Sequence, residues 1–181
     1  MRIALLAATA LLTGCGQSGD NPAANTAAPK KGQVLPITDN QAAVAVRPPA
    51  TKEAALKLMH ERHEGMEDIG DAFKVLGREV KAGSPNLAAV RSSAATIAGL
   101  APKVSSWFPP GTGADVGKTR AKPEIWQKPE DYAAKTRAFQ AAARTFNATA
   151  KAGDVNAIKA GFGNLGKTCK ACHDTYRAEK H

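Results

Sequence analysis

Cys169, Cys172 and His173 stand close to the end of the chain in the run Cys169-Lys170-Ala171-Cys172-His173. Two thiols three positions apart, with an imidazole directly after the second, form the C-x-x-C-H pattern. That pattern lets sulfur add to both vinyl groups of one haem while a neighbouring nitrogen ligates its iron. Other chemistries of paired cysteines need other surroundings. A zinc site needs further thiolate or imidazole ligands close by, and the only other cysteine, Cys15, is far away. A thioredoxin-like pair follows a strand and opens a helix, whereas this pair lies inside a late helical segment. The expected cofactor is therefore one covalent haem c with its iron.

Four helical segments are expected to carry the motif. The last has the clearest apolar stripe: Val155, Ile158, Phe162, Leu165, Cys169, Cys172 and Tyr176. Both cysteines fall on it, and His173 lies one step round the same face. The first segment begins after Thr51 and runs to about Ala82. Its expected stripe is Leu56, Met59, His63, Met66, Gly70, Phe73, Gly77 and Val80. In the second, Ser84 is the expected cap with Pro85 at the first helical position, and Leu87, Val90, Ala94, Ile97, Ala101 and Val104 face inward. Pro102 is a candidate stop or kink. The third follows Pro129, with Tyr132, Thr136, Phe139, Ala143, Phe146 and Ala150 in register; Gly153 ends it and Asp154 caps the fourth. No stretch alternates with period two for long enough to be a strand. The predicted fold is all-α: a four-helix bundle with a long crossover loop between helices 2 and 3 and haem c near the C-terminus of helix 4.

The N-terminus has a different character. Met1-Arg2 precedes an apolar run from Ile3 to Leu12, suited to a signal peptide and too short to span a bilayer. It ends in Leu12-Thr13-Gly14-Cys15, which looks like a bacterial lipobox and makes Cys15 the expected lipidation site; an ordinary secretory signal is the alternative. Residues 1–14 are thus the expected signal peptide, 15–49 a flexible tether rich in Gly, Ser, Asn, Ala and Pro, and 50–181 the folded haem domain. The expected location is the periplasm, with the lipid on Cys15 holding the protein to the outer membrane. The chain carries 25 Lys and Arg against 16 Asp and Glu, a net charge of +9. Such a surface can dock on acidic redox proteins of the cell envelope. No aromatics interleave with the basic residues as a nucleic-acid groove requires. No acid–base pair, nucleophile arrangement or phosphate loop points to an enzyme.

Several landmarks occur in order over residues 52 to 179. They are Arg62 and Met66, Phe108-Pro109-Pro110-Gly111-Thr112, Lys122-Pro123-Glu124-Ile125-Trp126, and the block from Gly166 to Arg177 around the C-x-x-C-H run. In these the chain resembles the cytochrome c′ family, which includes the low-spin cytochromes c-556. The resemblance implies thioether bonds at Cys169 and Cys172 and His173 as the proximal iron ligand. It places Arg62 near a haem propionate, which a guanidinium can grip with two hydrogen bonds. Arg177 falls on the proximal side beside His173. A homodimer packed through the first and second helices is also implied, and Ala88, Ala89, Ala94, Ala95 and Ala98 would permit close approach.

Met66 matches the distal position opposite His173. A bulky apolar residue there leaves a crowded five-coordinate iron that admits NO and CO. A methionine can instead supply its thioether sulfur as sixth ligand, giving a low-spin electron carrier of the c-556 type. Met59 and His63 share the expected stripe and could compete for the iron, while Ile69 and Phe73 would wall the pocket. Gly65 and Gly70 are costly inside a helix, and close approach either to the porphyrin or to a neighbouring helix would explain them.

Overall fold

The computed structural model describes residues 47–179. The expected signal peptide, Cys15 and nearly all of the expected tether lie outside the described residues, as does His181. Five α-helices follow in order: α1 (Lys52–Glu79), α2 (Leu87–Leu100), the single turn α3 (Glu124–Gln127), α4 (Pro129–Ala152) and α5 (Val155–Tyr176). A 3-10 segment, Ala101–Ser106, continues α2 beyond Pro102. The architecture is the four-helix bundle, formed by the four long helices. α1 packs on α2, α2 on α4 and α4 on α5. The long crossover after the 3-10 segment carries α3. Extended pairing among the described residues amounts to one isolated antiparallel bridge, Ala121 with Arg177. None of the described helices is long and apolar enough to cross a membrane.

The helix ends are set by local chemistry. Thr51 Oγ1 accepts from the Ala54 amide at 3.2 Å and starts α1. α2 starts later than expected, because Asn86 rather than Ser84 is its cap. The Asn86 side chain accepts from the amides of Ala88 and Ala89 at 3.0 and 3.2 Å, and its own amide donates to Glu79 at 2.7 Å. An amide oxygen that can satisfy two free helix donors outcompetes a serine placed two residues earlier. Gly153 adopts φ 83°, the left-handed turn that ends α4, and Asp154 Oδ1 then accepts from the Ala157 amide at 2.8 Å to start α5.

Packing follows the expected stripes in three helices and departs from it in the first. α4 buries Tyr132, Thr136, Phe139, Ala143, Phe146 and Ala150, the residues its periodicity names. α1 buries Ala55, Met59, Arg62, Gly65, Ile69, Ala72 and Leu76, so its inward face is turned by about one residue from the expected stripe. Leu56 is left 42% exposed, and His63 points outward. The cause is the Trp107 ring, seated against α1 at Gly65: a Cβ there would lie 2.4 Å from two of its ring atoms. Small residues and a hydrogen-bonded arginine occupy this face, which a hydropathy pattern does not register. The core centres on Leu76, Val90, Ile97, Phe146, Ile158 and Leu165, each almost fully buried. Each contributes roughly 1.5–3 kcal/mol by leaving water.

α1 and α5 run antiparallel, and aromatic contacts set their register. Phe73 stacks on Phe162 with ring centroids 4.4 Å apart, and the Phe73 ring closes on the backbone at Gly166. Phe162 also reaches Gly77.

Candidate functional site

The C-terminal half of α5 lies where two apolar clusters meet. Cys169 packs against the main core, which includes Ile69, Trp107 and Leu165. Cys172 packs against a smaller cluster of Ile125, Tyr132 and Tyr176. Both cysteines are half-buried, and burial pushes both thiols up, so the sulfurs are neutral. His173 is half-buried beside them. Burial, and after it the charges of Arg177 and Arg120, push its imidazole down to about 4. At neutral pH the ring is uncharged and keeps a lone pair for a metal.

Beyond Tyr176 the chain crosses back against the crossover loop. The Lys122 amide donates to Tyr176 O at 3.0 Å, the Ala178 amide to Arg120 O at 2.8 Å, and Arg120 Nε to Ala178 O at 2.9 Å. These bonds frame a cleft of about 580 Å³ lined by Arg120, Lys122, His173, Asp174, Arg177 and Glu179. The motif imidazole therefore faces a recess of mixed charge, in which three cations stand against the carboxylates of Asp174 and Glu179. Arg177 was expected on this side; Arg120 and Lys122 were not. They arrive through a backbone bridge between segments far apart in sequence, which leaves no periodic trace. The sequence signal is limited to the landmark itself: Lys122 opens the Lys-Pro-Glu-Ile-Trp run and Arg120 stands two residues before it.

Arg62 is 5% exposed and held by the crossover loop. Its Nη1 donates to Trp107 O at 3.4 Å and Thr112 Oγ1 at 3.2 Å, and its Nη2 donates to Thr112 O at 3.1 Å and Thr119 Oγ1 at 2.9 Å. The guanidinium also lies over the Phe108 ring, 4.6 Å from its centre. All four acceptors are neutral, and none of the ion pairs among the described residues includes Arg62. Burial accordingly draws its pKa down. A buried cation without a counter-charge suits a group that brings a carboxylate. Phe108 meets Tyr132 edge-on at 5.5 Å and Tyr132 meets Tyr176 edge-on at 5.3 Å, so rings connect this cradle to the end of α5. Trp126 Nε1 donates to Phe108 O at 3.0 Å and Pro109 O at 3.1 Å, pinning the loop from behind.

Met66 is half-buried and packs against the main core, with Ile69 and Phe73 following it along α1. Met59 is buried under the crossover loop, its sulfur close to Gly117. His63 is turned away from this side: its Nε2 lies 3.4 Å from Glu67 Oε1, and its side chain is 66% exposed. The candidate distal face is thus apolar apart from the thioether. Gly65 belongs to the packing against Trp107, whereas nothing lies within 4 Å of where a Gly70 side chain would begin.

Comparison with known proteins agrees with this arrangement. Residues 57–177 match the family model described as Cytochrome C'. The cytochrome c' of Allochromatium vinosum is 41% identical over 100 residues, which span 54% of this chain and 65% of that protein. The crystal structure of cytochrome c' from Thermochromatium tepidum superposes with a TM-score of 0.64 at 31% identity, covering 72% of this chain and 99% of that one. A cytochrome c prime variant from Alcaligenes xylosoxidans, solved as its nitric oxide complex, superposes with a TM-score of 0.62 at 31% identity, covering 72% and 98%. The chain belongs to the cytochrome c′ family, whose members bind covalent haem c with its iron.

Proposed function

We propose that Cys169 and Cys172 hold haem c through thioether bonds, that His173 is the proximal ligand of its iron, and that the protein binds NO and CO at a five-coordinate iron. When bound, haem c supplies a redox-active metal that can take one diatomic ligand. Cys169 and Cys172 fix its edge to α5, where their neutral, half-buried sulfurs already sit against apolar neighbours. His173 presents an uncharged ring, oriented by a helix whose end is tied down by the bridge to residues 120–122. Arg62 offers its charge to a propionate. Burial first, and then the charges of Arg177 and Arg120, favour the neutral form of His173.

The observation that carries the gas-binding reading is the composition of the opposite wall. Met66, Ile69 and Phe73 form an apolar surface on α1, and the nearest imidazole, His63, is turned to solvent. Such a wall discourages water and other polar ligands, and a small diatomic is the kind of ligand it suits. The Alcaligenes relative solved with nitric oxide supports the same reading. A second reading is favoured by the thioether in that wall: the Met66 sulfur would be the sixth ligand of a low-spin electron carrier. Export to the periplasm, a lipid on Cys15 and docking of acidic redox partners on the basic surface complete the proposal. Titrating the reduced holoprotein with NO and CO tests it. Saturable spectral change at one ligand per haem is expected; a spectrum unmoved by either gas supports the electron carrier instead.

A further inference from the structure

The face of α1 opposite the buried Arg62 and Gly65 carries His60, His63, Glu64 and Glu67. Their spacing, three, one and three, places all four side chains on one side of two successive helical turns. His63, Glu64 and Glu67 each offer one ligand atom, and these three atoms lie within 4.8 Å of one another. His63 Nε2 and Glu67 Oε1 are already 3.4 Å apart, and His60 Nδ1 stands 3.8 Å from Glu64 Oε1. Donors around a tetrahedral zinc ion stand roughly 3.4 Å apart, given metal–ligand bonds of about 2.0–2.1 Å. The remaining approach is small, and all four side chains are more than half exposed, so rotation about their bonds can supply it. The backbone beneath is fixed, because Gly65 in the same turn is locked against Trp107.

The geometry points to a surface metal site in which His63, Glu64 and Glu67 bind a divalent first-row ion such as Zn²⁺, with His60 positioning Glu64. One imidazole and two carboxylates favour zinc, copper or nickel over magnesium and calcium, which prefer all-oxygen shells. The two carboxylates would offset the charge of the ion, and water can fill the open position. The site is separate from the haem pocket: it occupies the outer face of the helix whose inner face carries Arg62 and Met66.

Calorimetric titration of the full-length holoprotein with Zn²⁺ is the test. One saturable Zn²⁺ per chain is expected. His63→Ala and Glu67→Gln should each weaken binding by roughly tenfold or more, and His60→Ala by less. Because these side chains are exposed, circular dichroism should show unchanged helicity in every variant. Absence of saturable binding, or His63→Ala and Glu67→Gln variants that bind as the wild type does, would overturn the assignment. So would loss of binding on removing His181 alone, which would place the ion at the C-terminus.

Discussion

Gly65 and Gly70 lie on the same helix and answer to different constraints. A side chain at Gly65 would enter the Trp107 ring, so Gly65→Ala should destabilise the protein by about 1–3 kcal/mol. At Gly70 no other part of the chain lies within 4 Å of where a side chain would begin, so Gly70→Ala should stabilise the haem-free chain by roughly 0.5–1 kcal/mol through helix propensity. Chemical denaturation of the two variants checks both signs at once. Both glycines looked equally costly in the sequence; only the position of the crossover tryptophan separates them. Arg62 was legible as a landmark residue, but the loop oxygens that hold it were not, since Trp107, Thr112 and Thr119 are distant in sequence. Arg62→Ala strands buried acceptors in the crossover loop, and a loss of about 3 kcal/mol in denaturation is expected. Arg62→Lys should recover part of this, because an ammonium keeps the charge without the planar fork.

Among the helices, α4 and α5 were legible almost residue by residue, because large apolar side chains mark their inner faces at regular spacing. α1 was misread by one position. Its buried face is built from Ala55, Gly65, Ala72 and an arginine, while Leu56 and His63 lie outside. Small residues buried under an aromatic ring carry no hydropathy signal. The start of α2 was missed because Ser84 and Asn86 are both good caps, and the contact between Asn86 and Glu79 decides between them. At the far end of the bundle, Tyr176 on α5 donates a hydrogen bond to Asp131 on α4. That bond, and after it Lys135, holds the Asp131 carboxyl below the usual carboxylate range. A depressed carboxyl contributes stability that is present above its unfolded pKa, about 3.9, and is lost as pH falls through its lower folded value. Tyr176→Phe should therefore raise the Asp131 pKa towards the ordinary value and weaken the pH dependence of stability at the acid end. Carbon-detected NMR titration of the carboxyl reads this directly; an unchanged Asp131 titration would show that the tyrosine does not hold it.

For the whole molecule, the bundle holds its motif at the meeting of two apolar clusters, with a charged recess beside His173 and apolar side chains around Met66. A homodimer packed through α1 and α2 is the expectation that the family resemblance carries. Ala95 is exposed on α2, so Ala95→Arg should leave the folded monomer stable while shifting sedimentation from dimer towards monomer. On the proposed reading of the two faces of the haem, His173 binds the iron on one side and Met66 crowds the other without binding it. Resonance Raman spectroscopy of the reduced holoprotein, wild type against Met66→Ala, tests this most directly. The account predicts a high-spin, five-coordinate iron in both. A low-spin, six-coordinate wild type that becomes high-spin in Met66→Ala would contradict it.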